Sequence, residues 1–188
     1  MSVVIVEQAF AQTISGEDLL AQDAKLRWCM DIYGVRPMIH CVSTDGLRVC
    51  CVLVAPDAEA VRSAGRRSGA VPPDRIWPAT IHGPVSDVAE VARRSTRTER
   101  TLAIVERSFA QPVRFDDVQS VEDRGAWCLG LNGVGFLASW FALDRQRMIC
   151  VYEAPDVEAV RKTNTRLGLP FDRAWGARVY QCGGHPPL

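Results

Sequence analysis

The stretch Cys51-Val52-Leu53-Val54-Ala55-Pro56-Asp57-Ala58-Glu59-Ala60-Val61-Arg62 returns later in the chain as Cys150-Val151-Tyr152-Glu153-Ala154-Pro155-Asp156-Val157-Glu158-Ala159-Val160-Arg161. The offset is 150 − 51 = 99 positions. At the same offset upstream, Ile5-Val6-Glu7 matches Ile104-Val105-Glu106, and Phe10-Ala11-Gln12 matches Phe109-Ala110-Gln111. Trp28-Cys29 matches Trp127-Cys128, and Gly34-Val35 matches Gly133-Val134. Downstream, after one extra residue in the first copy, Asp74-Arg75-Ile76-Trp77 matches Asp172-Arg173-Ala174-Trp175. Matches spread over a whole unit mark an internal duplication, and each copy is then one supersecondary assembly.

Each copy carries the same order of elements. Val3 to Phe10 is apolar and β-branched and reads as a strand. Ser15-Gly16-Glu17-Asp18 has the spacing of a capping box, and Leu19, Leu26 and Met30 follow at helical intervals. Gly34 suits a left-handed helix end. Arg36 to Ser43 and Leu47 to Val54 are strands around the turn residues Thr44-Asp45-Gly46. Pro56 fits the first position of a second helix, with Asp57 and Glu59 in its first turn, where the helix dipole favours acids. That helix stops near Gly69, and Ile76 to Ile81 is a last strand. The order is βαββαβ, the split βαβ plan. Residues 1–82 and 101–182 are the repeats. Residues 83–100 connect them, with Asp87-Val88-Ala89-Glu90 as a short helix and Arg93-Arg94-Ser95-Thr96-Arg97 solvated. Residues 183–188 are a tail.

The fold expected is α+β: two tandem ferredoxin-like units packed sheet to sheet. A four-stranded sheet with both helices on one side leaves its other face bare, and two bare faces cover each other. A ligand site is expected between the sheets, built unequally because the halves differ in sequence.

Composition narrows the function classes. The formal net charge is zero, and the arginines are scattered, which gives no basic face for nucleic acid. The apolar runs are short of a membrane span or a signal peptide, so a cytoplasmic protein is expected. Seven cysteines, an odd number with no Cys-x-x-Cys pair, read as reduced thiols rather than a disulfide framework. Phosphate-cradling glycine loops and Ser-His-Asp orders do not occur.

Several residues stand out against the apolar pattern. Glu7 and Glu106 sit at equivalent points of otherwise apolar strands, where a carboxylate is either paired or does chemistry. As catalytic groups they join His40, whose imidazole suits proton transfer and metal binding alike. As structural groups they pair with an arginine such as Arg48 or Arg147. Cys51 and Cys150 are equivalent mid-strand thiols, metal donors with His40 on one reading and packing groups on the other. Trp140 and Tyr152 have no aromatic counterparts in the first copy (Cys41 and Leu53), so together they are expected to line a small-ligand pocket in one half. His82 and His185 read as surface residues.

The run Val105-Glu106-Arg107, the pair Gly133-Val134 before the second strand, and Cys150-Val151-Tyr152-Glu153-Ala154-Pro155 resemble the small bacterial nickel-binding ferredoxin-like proteins, a family formerly known only as a domain of unknown function. The resemblance covers both copies, more closely the second. It implies the dimeric α+β barrel arrangement, with nickel as the cofactor candidate. That superfamily also includes cofactor-free polyketide cyclases, small monooxygenases and isomerases, so fold alone leaves function open. The family pattern places a histidine before a serine and an aromatic residue in the second strand. This chain has Ala138-Ser139-Trp140 there, and His40 stands one place later in the first copy, which turns it to the other strand face. Three functions follow as expectations: metal or small-ligand binding, cofactor-independent cyclase or isomerase chemistry on a small apolar substrate, and a non-catalytic scaffold. An intramolecular pseudo-dimer is expected in each case, with further pairing through sheet edges left open.

Overall fold

The structure is a computed structural model. It describes all residues except 86, 89, 92, 94–99 and 183–188. The tail expectation, His185 included, and part of the connector expectation therefore lie outside the described residues. Within the connector, Val88, Glu90, Val91 and Arg93 are helical, as the acidic start at Asp87 suggested.

The first repeat runs β1 (Ser2–Ala9), α1 (Gly16–Ile32), β2 (Arg36–Ser43), β3 (Arg48–Ala55), α2 (Ala58–Ser68) and β4 (Arg75–His82). Its strands lie in the order β4-β1-β3-β2, every pair antiparallel. The second runs β5 (Thr101–Ser108), α3 (Phe115–Arg124), α4 (Ala126–Leu131), β6 (Gly135–Ala142), β7 (Arg147–Ala154), α5 (Val157–Arg166) and β8 (Arg173–Gln181). Its order, β8-β5-β7-β6, is the same plan. Even the irregularities repeat. A register shift between Pro37 and Ile39 has its counterpart between Phe136 and Ala138, at the offset of 136 − 37 = 99. The chain is thus α+β, with two ferredoxin-like βαββαβ repeats.

By packing, one compact unit comprises residues 1–79 with 178–182, and the other the described residues between 80 and 177. The unit boundaries therefore fall inside β4 and inside β8 rather than in the connector.

Local chemistry accounts for the element ends. Ser15 caps α1, its hydroxyl accepting from the Asp18 N–H while the Asp18 carboxylate accepts from the Ser15 N–H. Asp57 and Asp156 are the N-caps of α2 and α5, their carboxylates accepting from the N–H of Ala60 and Ala159. Pro56 therefore stands just outside the helix instead of opening it, because Asp57 takes the capping position. Gly46, in the β2–β3 turn, has φ of 72°, where a Cβ is disfavoured. The first helix of the second repeat departs from its counterpart. It breaks at Gly125, which occupies the place of Leu26, and a Cβ at Gly125 would collide with the Leu167 side chain.

Helices cover one face of each sheet. In the first unit Val4, Leu53 and Ala55 pack with Cys29 of α1 and Ala58 and Ala64 of α2. In the second, Val105, Cys150 and Tyr152 pack with Val118 of α3 and Val160 of α5. Removing each large apolar side chain from water stabilises the fold by about 1.5–3 kcal/mol. All seven cysteines are free thiols. No helix among the described residues is long and apolar enough to cross a membrane.

Candidate metal centre

Alternation along a strand decides which side chains meet. His40 pairs across to Cys51, whereas Glu7 pairs with the adjacent Cys50. Neighbouring residues face opposite ways, so His40 and Glu7 lie on opposite faces of the first sheet. The joint proton-transfer set of Glu7 with His40 is thereby undone. Trp140 pairs with Ile149, while Tyr152 lies three residues on in the same strand and faces the helices. Trp140 and Tyr152 are therefore on opposite faces of the second sheet and line no common pocket.

Each glutamate is held in the same way in both repeats. The Trp77 indole donates to Glu7 at 2.6 Å, with the Arg75 guanidinium 3.7 Å from the other oxygen. Trp175 donates to Glu106 at 2.7 Å, with Arg173 at 3.5 Å. The arginine partners are on β4 and β8, not Arg48 and Arg147 at the start of β3 and β7. His82 is half-buried, not a surface residue. Its ring stacks on Phe115 with centroids 3.8 Å apart, and burial lowers its pKa.

His40 is the centre of a different group, beneath α1. Its Nε2 lies 2.8 Å from Asp23 Oδ2, and its Nδ1 lies 2.9 Å from Cys51 Sγ. A carboxylate only accepts, so Nε2 carries the proton toward Asp23 and Nδ1 accepts from the Cys51 thiol. Burial pushes the Cys51 thiol well up, and the nearby Asp23 and Cys182 charges add to this, which keeps the donor proton in place. Burial also raises Cys182, with the Asp23 carboxylate next in effect. Cys182 is fixed where β8 ends, its N–H donating to the Met38 carbonyl of β2 at 3.0 Å.

Asp23, His40 and Cys182 each offer one donor atom, and the three atoms lie within 4.8 Å of one another. Among the described residues this is the group of His, Cys, Asp and Glu side chains that meets that spacing. Imidazole, thiolate and carboxylate together suit a borderline divalent ion such as nickel or zinc better than calcium or magnesium. Donors held 2.0–2.3 Å from an ion come within about 4 Å of each other, so small side-chain shifts suffice. Loading would displace the Cys182 thiol proton and would require the neutral His40 ring to carry its proton on Nδ1, donating toward Cys51 Sγ, so that Nε2 is free to ligate. Cys51 then serves on the far ring nitrogen, orienting the imidazole as outer partners of metal-bound histidines do. Cys150 is in the second unit and takes no part in this cluster.

Asp23 and Cys182 escaped the sequence reading. Asp23 is four residues after Leu19 and three before Leu26, so it interrupts the inward stripe of α1, and that interruption was the available signal. Cys182 had none, because it reaches the cluster from the far end of the chain.

The second repeat places other residues at these positions. Glu122 stands for Asp23 and Ser139 for His40, while Arg107 replaces Gln8. Arg107 is buried, donating to Asn164 Oδ1 at 2.5 Å and to the Pro170 carbonyl at 2.6 Å, 4.0 Å from Glu122. The Tyr152 hydroxyl donates to Glu122 at 2.9 Å. Burial raises the pKa of Glu122 despite that bond and the Arg107 charge. Glu122 Oε2, Arg107 Nε and Ser139 Oγ are buried without hydrogen-bond partners among the described residues.

Residues 104–175 match the family model described as nickel responsive protein SCO4226-like. No curated protein matches the chain in sequence. Chlorite dismutase from Candidatus Nitrospira defluvii, in complex with imidazole, superposes with a TM-score of 0.52 at 10% identity, over 96% of this chain and 92% of that one. A mutant of the same enzyme in complex with cyanide gives 0.51 at 10% identity, over 96% and 90%. A heme-binding protein from Thermus thermophilus is a looser likeness, at 0.46 and 9% identity over 95% and 90%. At such identities the likeness speaks for fold alone. The chain thus shares an α+β fold with these structures, and residues 104–175 of its second repeat are similar to the nickel-responsive SCO4226-like family model.

Proposed function

We propose that the protein binds a divalent transition ion of the nickel type, through Asp23, His40 and Cys182 of the first unit. The observation that carries this reading is the convergence of three chemically different donors, one of them a buried histidine, within 4.8 Å. The family match in the second repeat agrees with a metal-linked role, although the donors lie in the first. His40 supplies Nε2, Asp23 one carboxylate oxygen and Cys182 its thiolate, while Cys51 holds the ring. The site sits under α1 on the helix-covered face, not on the bare face where the sequence reading looked for it.

Calorimetric titration of the whole chain with nickel tests this. One ion per chain is expected, with affinity falling at least tenfold in His40→Ala and in Cys182→Ser. Heat no greater than buffer, or equal affinity in wild type and both variants, would remove the proposal.

A further inference from the structure

The donor cluster opens onto a cavity of about 300 Å³, lined by Leu20, Asp23, Arg27, Met30, Asp31 and Cys182 among others. Two of the three donors, Asp23 and Cys182, thus form part of its wall. Three protein donors leave at least one position of a tetrahedral or higher coordination shell open, and an open position marks a site that takes an exogenous ligand. The remaining wall is selective. Arg27 and Asp31 are one helical turn apart on α1 and both border the cavity. Neither forms an ion pair among the described residues, although an Arg and an Asp at this spacing commonly pair with each other. One wall therefore offers a cation and an anion side by side, above the apolar side chains of Leu20 and Met30.

Resting on the metal reading, we infer that the cavity holds a small zwitterionic amino acid as co-ligand of the ion. Its carboxylate lies between the metal and the Arg27 guanidinium, and its ammonium faces Asp31. The charges support this choice. A divalent ion is neutralised by the Asp23 carboxylate and the Cys182 thiolate, and Arg27 is balanced by Asp31, so a ligand of zero net charge leaves the pocket neutral. An anion alone leaves it with an uncompensated negative charge beside Asp31. The volume accommodates a molecule of a few heavy atoms with an apolar side chain against Leu20 and Met30.

The test follows the nickel–thiolate absorption of the loaded full-length protein during titration with L-alanine. The inference expects a saturable shift of the band while nickel remains with the protein on gel filtration. At least fivefold more L-alanine should be needed in Arg27→Met and in Asp31→Asn, both exposed positions, with nickel affinity unchanged. N-acetyl-L-alanine, which lacks the ammonium, should shift the band only weakly. No shift with L-alanine, loss of nickel from the protein, or equal responses in wild type and both variants overturns the co-ligand while leaving the metal site standing. Absence of any nickel–thiolate band before L-alanine is added overturns the metal reading and this inference with it.

Discussion

The two repeats share one backbone plan and differ in what lies between their helices and their sheets. In the first, Asp23 of α1 meets a histidine and a cysteine. In the second, Glu122 of α3 at the equivalent place meets the Tyr152 hydroxyl and the Arg107 guanidinium. The second repeat carries its own permanent cation, because a guanidinium does not deprotonate in a protein. The first has Gln8 at that position and presents donors instead. Duplication allowed one carboxylate to be neutralised from within, whereas the other would, on the proposed metal reading, take a cation from solution.

The largest expected effect concerns the built-in cation. Arg107→Met leaves Glu122 buried beside an apolar chain, and removing one partner of a buried pair costs about 3–5 kcal/mol. Urea denaturation should read a loss of that order, and a loss below about 1 kcal/mol would break the contrast between the halves. A smaller effect concerns the pH profile. The folded pKa of Glu122 is raised, chiefly by burial. Its contribution to stability is then complete at acid pH, below the unfolded value near about 4.3, and is lost as pH rises through the folded value. Stability measured from pH 4 to 7 should therefore decline less steeply in Glu122→Gln than in wild type. An unchanged slope would show that Glu122 ionises without cost. The smallest effect is at Ser139, whose buried hydroxyl has no partner among the described residues where the first repeat has His40. Ser139→Ala should be neutral or stabilising by up to about 1 kcal/mol, since it removes an unsatisfied group. A loss above about 1 kcal/mol would mean that the hydroxyl is bonded after all, for instance to a buried water.

The repeat, the order of elements and the cap of α1 were legible because they depend on local pattern: apolar alternation, Ser15 three residues before Asp18, and Gly34 and Gly133 after the first helices. The start of α2 was not, since Asp57 and not the residue before Pro56 caps it. His40 was legible as a polar group inside an apolar strand. Its partners were not, since Asp23 is one acid among several on α1 and Cys182 is 182 − 40 = 142 positions away. The face error at Trp140 and Tyr152 has a definite source. Equivalence between copies carries no information on facing; the β6–β7 register, with Trp140 opposite Ile149, sets the two residues on opposite sides. The arginine partners of Glu7 and Glu106 were sought across β3 and β7, but the ladder to β4 and β8 brings Arg75 and Arg173 opposite them.

The first compact unit draws residues 178–182 from the end of the second repeat. During synthesis the first eighty residues leave the ribosome long before Tyr180 can lie over Gly16 or Cys182 can reach Asp23. A nascent or prematurely released chain holds the His40 imidazole and the Asp23 carboxylate without the Cys182 thiol, so on the proposed metal reading it would capture a borderline ion poorly. Only a polypeptide elongated through position 182 assembles Asp23, His40 and Cys182, so on the proposed metal reading tight loading would report that both halves have been made.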